Sequence, residues 1–175
     1  LLPLLLVLPV FISGSITVDS VTEEIDRGTL ELLRVAPVTL HDVVDGKLAA
    51  AAGLAPIQAG LWIVLLELNG TSVANATALV ALVAGLALLV CGLGAAVALV
   101  SPDRRAAQFL YSIAVLFVIG GTTLLPHGPV TAAARLGIGS PATADFLAVA
   151  GVAVLAVAVY LGLHRLVDRV DADTL

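Results

Sequence analysis

Charge is what this chain has least of. Only 12% of its 175 residues are Asp, Glu, Lys or Arg, where an ordinary soluble domain carries about 25%. Hydrophobic residues make up 60% and the mean hydropathy is +1.13, so a soluble globular domain is excluded and an integral membrane protein is required. Positive charge is scarcer still, with eight Lys and Arg against thirteen Asp and Glu and a net charge of −5. No basic surface for nucleic acid follows from such a balance. The one cysteine, Cys91, excludes an intrachain disulfide and reads as a small buried hydrophobe. Methionine is absent, and the opening apolar run lacks the basic flank of a signal peptide. The sequence therefore reads as the later part of a longer protein. The acidic bias, the single lysine and the abundant Ala and Val resemble proteins of salt-loving archaea.

What is present is a series of long apolar runs. Crossing a bilayer as a helix takes roughly 20 residues, and five runs approach or exceed this: 1–18, 48–66, 77–100, 109–125 and 146–163. Lipid leaves no partner for unpaired backbone groups, so each run is expected to be helical. The fold class expected is all-α, a polytopic transmembrane helical bundle forming one domain over 1–175. Between the runs lie a long charged connector, 19–47, and a Pro-, Gly- and Thr-rich stretch, 126–145, too polar to span.

Orientation follows from Lys and Arg, which favour the cytoplasmic loops. Arg27, Arg34, Lys47, Arg104, Arg105, Arg165 and Arg169 share one side, and Arg135 alone lies opposite. The expectation is a cytoplasmic membrane protein with residue 1 outside and the C-terminus cytoplasmic, and with connector 19–47 facing the cytoplasm. Two sequons, Asn69-Gly-Thr71 and Asn75-Ala-Thr77, fall on the outer side. Arg104 and Arg105, in the loop SPDRRAAQ, read as inside-positive anchors, with headgroup or partner contact as the alternative.

The connector divides at its own punctuation. The first helix is expected to run on through Thr22 to Asp26, and Gly28 then offers a break. Thr29 can cap a short helix from Leu30 to Ala36 with Glu31 in its first turn, and Pro37 ends it. Thr39 and Asp42 are spaced as a capping box, and Val38 and Val43 as a hydrophobic staple, for the next helix. A helix of about seven residues is too short to hold alone in water. The apolar face of Leu30 and Leu33, widened by Leu32 and Val35 and flanked by Glu31 and Arg34, therefore needs a surface. That surface is either the membrane and the chain's own spans or a groove in a partner protein.

Chemistry of the chain's own is hard to find. A phosphate-binding loop needs GxxxxGK[ST]. The pair Gly46-Lys47 is followed by Leu48, and His41 stands where the first Gly belongs. Ion coupling would call for ionisable groups in the spans, and the five runs contain no Asp, Glu, Lys, Arg or His. His41, His127 and His164 lie in three different loops or ends without metal-ligand spacing. Gly137-Ile-Gly139-Ser140 lacks the last Gly of GxSxG and reads as a turn, with Ser140 a cap and Pro141 at the first helical position. Small residues one turn apart, Ala81 with Gly85 and Gly92 with Ala96, suit close helix packing. No catalytic residue, resident cofactor or metal site is expected, and the chain is not expected to be an enzyme.

The pieces Glu23, Glu24, Asp26, Arg27, then Gly28-Thr29-Leu30-Glu31-Leu32-Leu33, then Pro37-Val38-Thr39, then Gly46-Lys47 together resemble the signature connector of ABC-2-type transporter permeases. These are the membrane subunits of ATP-driven exporters. The wording is nearest the sodium-export and copper-site-assembly branch. The resemblance implies a six-span protein of which this chain supplies spans two to six, with 126–145 forming short external or re-entrant helices. It implies that the connector is a cytoplasmic coupling element on an ABC ATPase subunit, which would hold the ATP and Mg. The coupling residues would be Glu24, Arg27, Gly28, Thr29, Leu30, Glu31, Leu32, Leu33, Arg34 and Pro37. Two permeases, alike or different, would assemble with two ATPases in membrane lipid. The competing readings are a non-transporting scaffold that recruits a soluble partner through the same connector, and an ion-coupled carrier.

Overall fold

The computed structural model describes residues 2–26 and 39–173, with side chains described over 6–26 and 39–170. Among the described residues all regular structure is helical. The elements are α1 (Leu2–Asp26), α2 (Leu40–Leu68), α3 (Ala76–Val100), α4 (Arg104–Val115), α5 (Gly121–Thr123), α6 (Pro129–Gly137) and α7 (Thr143–Asp173). A π-helical turn, Leu116–Gly120, joins α4 to α5, so that residues 104–123 form one span. With α1, α2, α3 and α7 this makes five helices long and apolar enough to cross a membrane. The protein is an all-α multi-pass membrane protein, as its composition requires.

The helices outrun the apolar stretches that seed them. α2 has 29 residues, about 43 Å at 1.5 Å per residue, against a hydrocarbon core of about 30 Å. Its polar first turns therefore stand outside the hydrocarbon. The stretch 101–108, expected as a loop, is helical from Arg104 onward. The reason is a cap: the Asp103 carboxylate accepts the Ala106 N–H at 2.8 Å, which starts α4 before the apolar run begins.

α3 is the hub. It packs against α1, α2 and α7, and 56% of its most apolar stretch is buried, against 17% for α7 and for the span over 104–123. Its sequence explains this, because the close approaches occur at glycines. A Cβ on Gly85 would lie 3.1 Å from Val152 Cγ1 of α7, one on Gly92 3.0 Å from Val159 Cγ1, and one on Gly94 3.1 Å from the Gly14 carbonyl of α1. Small residues let backbones meet where lipid gives helices no hydrophobic reason to associate. Gly85 and Gly92 thus act as their spacing suggests, while Ala81 is exposed. Cys91 is fully buried beside them.

The span over 104–123 is attached to α1 by one residue above all. Tyr111 is fully buried and donates its hydroxyl hydrogen to the Phe11 carbonyl at 2.8 Å. A side chain on Gly14 would overlap that hydroxyl, so glycine is required where α4 crosses α1. Buried hydroxyls on α1 bond back along their own helix, Thr17 to the Ser13 carbonyl at 3.0 Å and Thr22 to the Val18 carbonyl at 2.8 Å. No buried side-chain polar atom among the described residues lacks a partner, as a low-dielectric core demands. The outer faces carry exposed Ile57, Leu61, Phe109, Phe117, Leu147 and Val154. Such faces suit acyl chains, which are as apolar as leucine.

At the end away from the connector, α6 is held by its last carbonyls. Ala74 N–H donates to the Gly137 carbonyl at 3.0 Å, and the Asn75 amide donates to the Leu136 carbonyl at 3.1 Å. Ser140 N–H reaches the Arg135 carbonyl at 3.0 Å, and Gly139 N–H reaches the Leu136 carbonyl at 3.3 Å. With Gly139 at φ +76°, this is a Schellman closure. Gly137 to Ser140 therefore ends α6, which corrects the expectation that Ser140 caps a helix beginning at Pro141. α7 starts at Thr143. There the fully buried Asp145 accepts the Ala142 N–H at 2.7 Å, and a carboxylate in a first helical turn suits the helix dipole.

Candidate functional site at the connector end of the bundle

Apart from Glu67 and Asp145, the charged side chains described on α1, α2, α4 and α7 gather at the end where α1 stops and α2 starts. Local capping fixes the re-entry of the chain. Thr39 N–H donates to Asp42 Oδ2 at 2.9 Å and Asp42 N–H donates to Thr39 Oγ1 at 3.2 Å, the reciprocal box that the spacing of these two residues predicts. Val38, the other half of the expected staple, lies outside the described residues.

Lys47 closes the connector. Its ammonium lies 3.0 Å from Glu24 Oε1 and donates to the Ser20 carbonyl at 3.1 Å. One side chain on the second turn of α2 thus holds the last two turns of α1. Beneath it runs an apolar crevice lined by Val21, Ile25, Leu40, Val43, Val44 and Leu99, whose charged lining groups are Glu24 and Lys47.

α1 is tied in turn to α4. Arg104 grips Asp19 Oδ1 through Nε and Nη2, both at 2.8 Å, and Gln108 Nε2 donates to the same oxygen at 2.9 Å. Arg104 is therefore an interhelical partner as well as an inside-positive residue. Its side chain is 57% exposed, so water screens the pair and holds its worth to about 0–1 kcal/mol.

On the other flank, α2 meets α7. His164 Nε2 lies 3.0 Å from Asp45 Oδ1, Tyr160 donates its hydroxyl hydrogen to that oxygen at 3.2 Å, and His41 Nε2 lies 3.2 Å from Asp168 Oδ1. The rings of His41 and His164 have centroids 4.9 Å apart. This corrects the reading of the three histidines as separate. His41 is on the first turn of α2 and His164 near the end of α7, and the fold brings them together. No group of three His, Cys, Asp or Glu arranged to hold a metal ion occurs among the described residues. His127 belongs to the opposite end, where Nδ1 lies 3.4 Å from Asp145 Oδ1 and 3.1 Å from Arg135 Nη1.

Of the residues expected to form the coupling element, Glu24 is placed, on the last turn of α1 and in the Lys47 pair. Arg27, Gly28, Thr29, Leu30, Glu31, Leu32, Leu33, Arg34 and Pro37 lie outside the described residues. Sequence reasoning missed the cross-bracing among α1, α2, α4 and α7. Two signals were available. His41 with Asp45, and His164 with Asp168, share the four-residue spacing that puts both members on one helix face. Lys47 stands in a row otherwise dominated by acids.

No curated protein and no solved structure gives a significant match to the chain. A family model described as "ABC-2 family transporter protein" matches residues 1–144, which takes in the first four spans, the whole connector and the Lys47 clamp. The chain accordingly belongs to the ABC-2 family of transporter proteins and is a permease component of an ABC transporter.

Proposed function

We propose that this permease exports its substrate across the cytoplasmic membrane with ATP hydrolysed by a separate ABC ATPase, which docks on connector 19–47. The observation that carries the reading is the family match over residues 1–144, since it includes the connector whose wording resembles a coupling element. Composition supports it from another side. The connector is the longest polar stretch between two spans, and its apolar trio Leu30, Leu32 and Leu33 needs a surface to lie on.

In this reading Leu30, Leu32 and Leu33 are the apolar anchors in the ATPase groove. Glu31 and Arg34 set the polar register, and Gly28 and Pro37 bound the element. The ATPase supplies ATP and Mg, and this chain supplies none of the hydrolytic chemistry. Two permeases, identical or not, pair with two ATPases. When the ATPases close, they pull on the connector. The Lys47 clamp to Glu24 and Ser20 makes α1 and α2 answer together. Asp19–Arg104 then passes the load to α4, and the Asp45–His164 contact passes it to α7. The sodium-export and copper-site-assembly branch is the one the connector resembles most.

Co-purification tests this. The detergent-solubilised wild type is expected to bring down an ATP-binding-cassette subunit, and Leu30→Asp with Leu33→Asp is expected to lose it while leaving the melting temperature unchanged. The reading fails if the wild type retains no such subunit, or if the double variant retains it fully.

A further inference from the structure

α2 and α7 both pack on α3 and touch each other far less than either touches α3. Where they do meet, at the connector end, the join is polar. α2 begins there and α7 finishes there, so the two helices run antiparallel. Each presents a His and an Asp four residues apart on one face: His41 and Asp45 on α2, His164 and Asp168 on α7. Antiparallel packing crosses the pairs, so that His41 meets Asp168 at 3.2 Å and Asp45 meets His164 at 3.0 Å. Tyr160 adds its hydroxyl to Asp45 at 3.2 Å, and the two imidazoles lie with centroids 4.9 Å apart.

We infer that this crossed quartet is a proton-sensitive latch that holds the ends of α2 and α7 together when its imidazoles are protonated and loosens when they are neutral. With both imidazoles neutral, the quartet carries two negative charges, His164 gives Asp45 one ordinary hydrogen bond, and His41 rests 3.2 Å from Asp168. Protonation brings the four groups to net zero and turns both contacts into charge-assisted pairs, which are roughly twice as strong. The two imidazolium rings repel at 4.9 Å, but each lies closer to a carboxylate, so attraction wins. Acid closes the latch and base releases it.

The other charged groups nearby do not reverse that sign. On α2, Asp42 faces His41 but caps Thr39, and its charge favours the same imidazolium. Lys47 is engaged with Glu24 of α1. Arg165 and Arg169 on α7 are exposed to solvent, and α3 contributes no charge. His41 sits two residues after Thr39, so the latch adjoins the point where the connector re-enters α2. It stands whether or not an ATPase docks on that connector.

Spin labels at exposed positions on the two helices, Ala49→Cys and Leu161→Cys, report the separation in nanodisc-embedded full chain; the native Cys91 is fully buried. Between about pH 5.5 and about pH 8.5, on either side of the imidazole range, a longer-distance population is expected to grow about fivefold. His41→Gln with His164→Gln is expected to abolish that growth. Asp168→Asn alters an exposed position and is expected to roughly halve the response. Identical distance distributions at both pH values in the otherwise wild-type chain would overturn the inference. So would a full response in the double Gln variant or in Asp168→Asn.

Discussion

The middle of α3 and the connector end of the bundle are built on opposite principles. In the middle, helices meet at Gly14, Gly85, Gly92 and Gly94, where an added Cβ would lie at or inside ordinary contact distance of a neighbouring helix. At the connector end they meet through Lys47–Glu24, Asp19–Arg104, Asp45–His164 and His41–Asp168, all partly exposed. Close packing of this kind has one good arrangement and resists displacement. Solvent-exposed ion pairs are worth about 0–1 kcal/mol each and can be exchanged for water at little cost. The difference teaches where motion can begin: the α1–α3–α7 centre is the fixed part, and the polar end is the part that can be re-set.

Substitutions can break or sharpen that contrast. Gly14→Leu should have the largest effect, because its side chain would occupy the place of the Tyr111 hydroxyl. A loss of about 3 kcal/mol should appear as a large fall in the thermal unfolding midpoint in detergent, and an unchanged midpoint would mean that α1 and α4 are not packed as described. Tyr111→Phe should cost about 1 kcal/mol by removing the bond to the Phe11 carbonyl. Lys47→Met should cost no more than about 1 kcal/mol in the same assay, and Lys47→Arg should recover it. Asp19→Asn should fall below about 0.5 kcal/mol, since Arg104 is more than half exposed. If either polar-end variant proved as costly as Gly14→Leu, the division into a fixed centre and an adjustable end would collapse.

Much of this was legible in the residues. Five apolar runs dictated five helices because lipid admits no other open-chain backbone. Thr39 and Asp42 announced the start of α2 because a capping box depends on residues three apart and on nothing distant. The site was legible in part. Resemblance marked Glu24 and Gly46-Lys47, but the pairing of Lys47 with Glu24 joins residues on two helices, and only the fold brings them together. The same is true of His41 and His164, separated by most of the chain. The start of α7 was misjudged for a local reason: Gly139 and Ser140 suit either a helix N-terminus or a helix C-terminus. The carbonyls of Arg135 and Leu136 decided the matter by accepting the Ser140 and Gly139 N–H groups.

The central proposal is that Leu30, Leu32 and Leu33 of the connector lie in a groove of an ATPase and not on lipid or on the chain's own spans. A photo-crosslinking residue placed at Leu33 tests it directly in membranes from cells expressing the full transporter. The account predicts a crosslinked product containing an ATP-binding-cassette subunit, lost when Leu30 is changed to Asp. Crosslinks confined to lipid and to this chain itself, undiminished by Leu30→Asp, would contradict it.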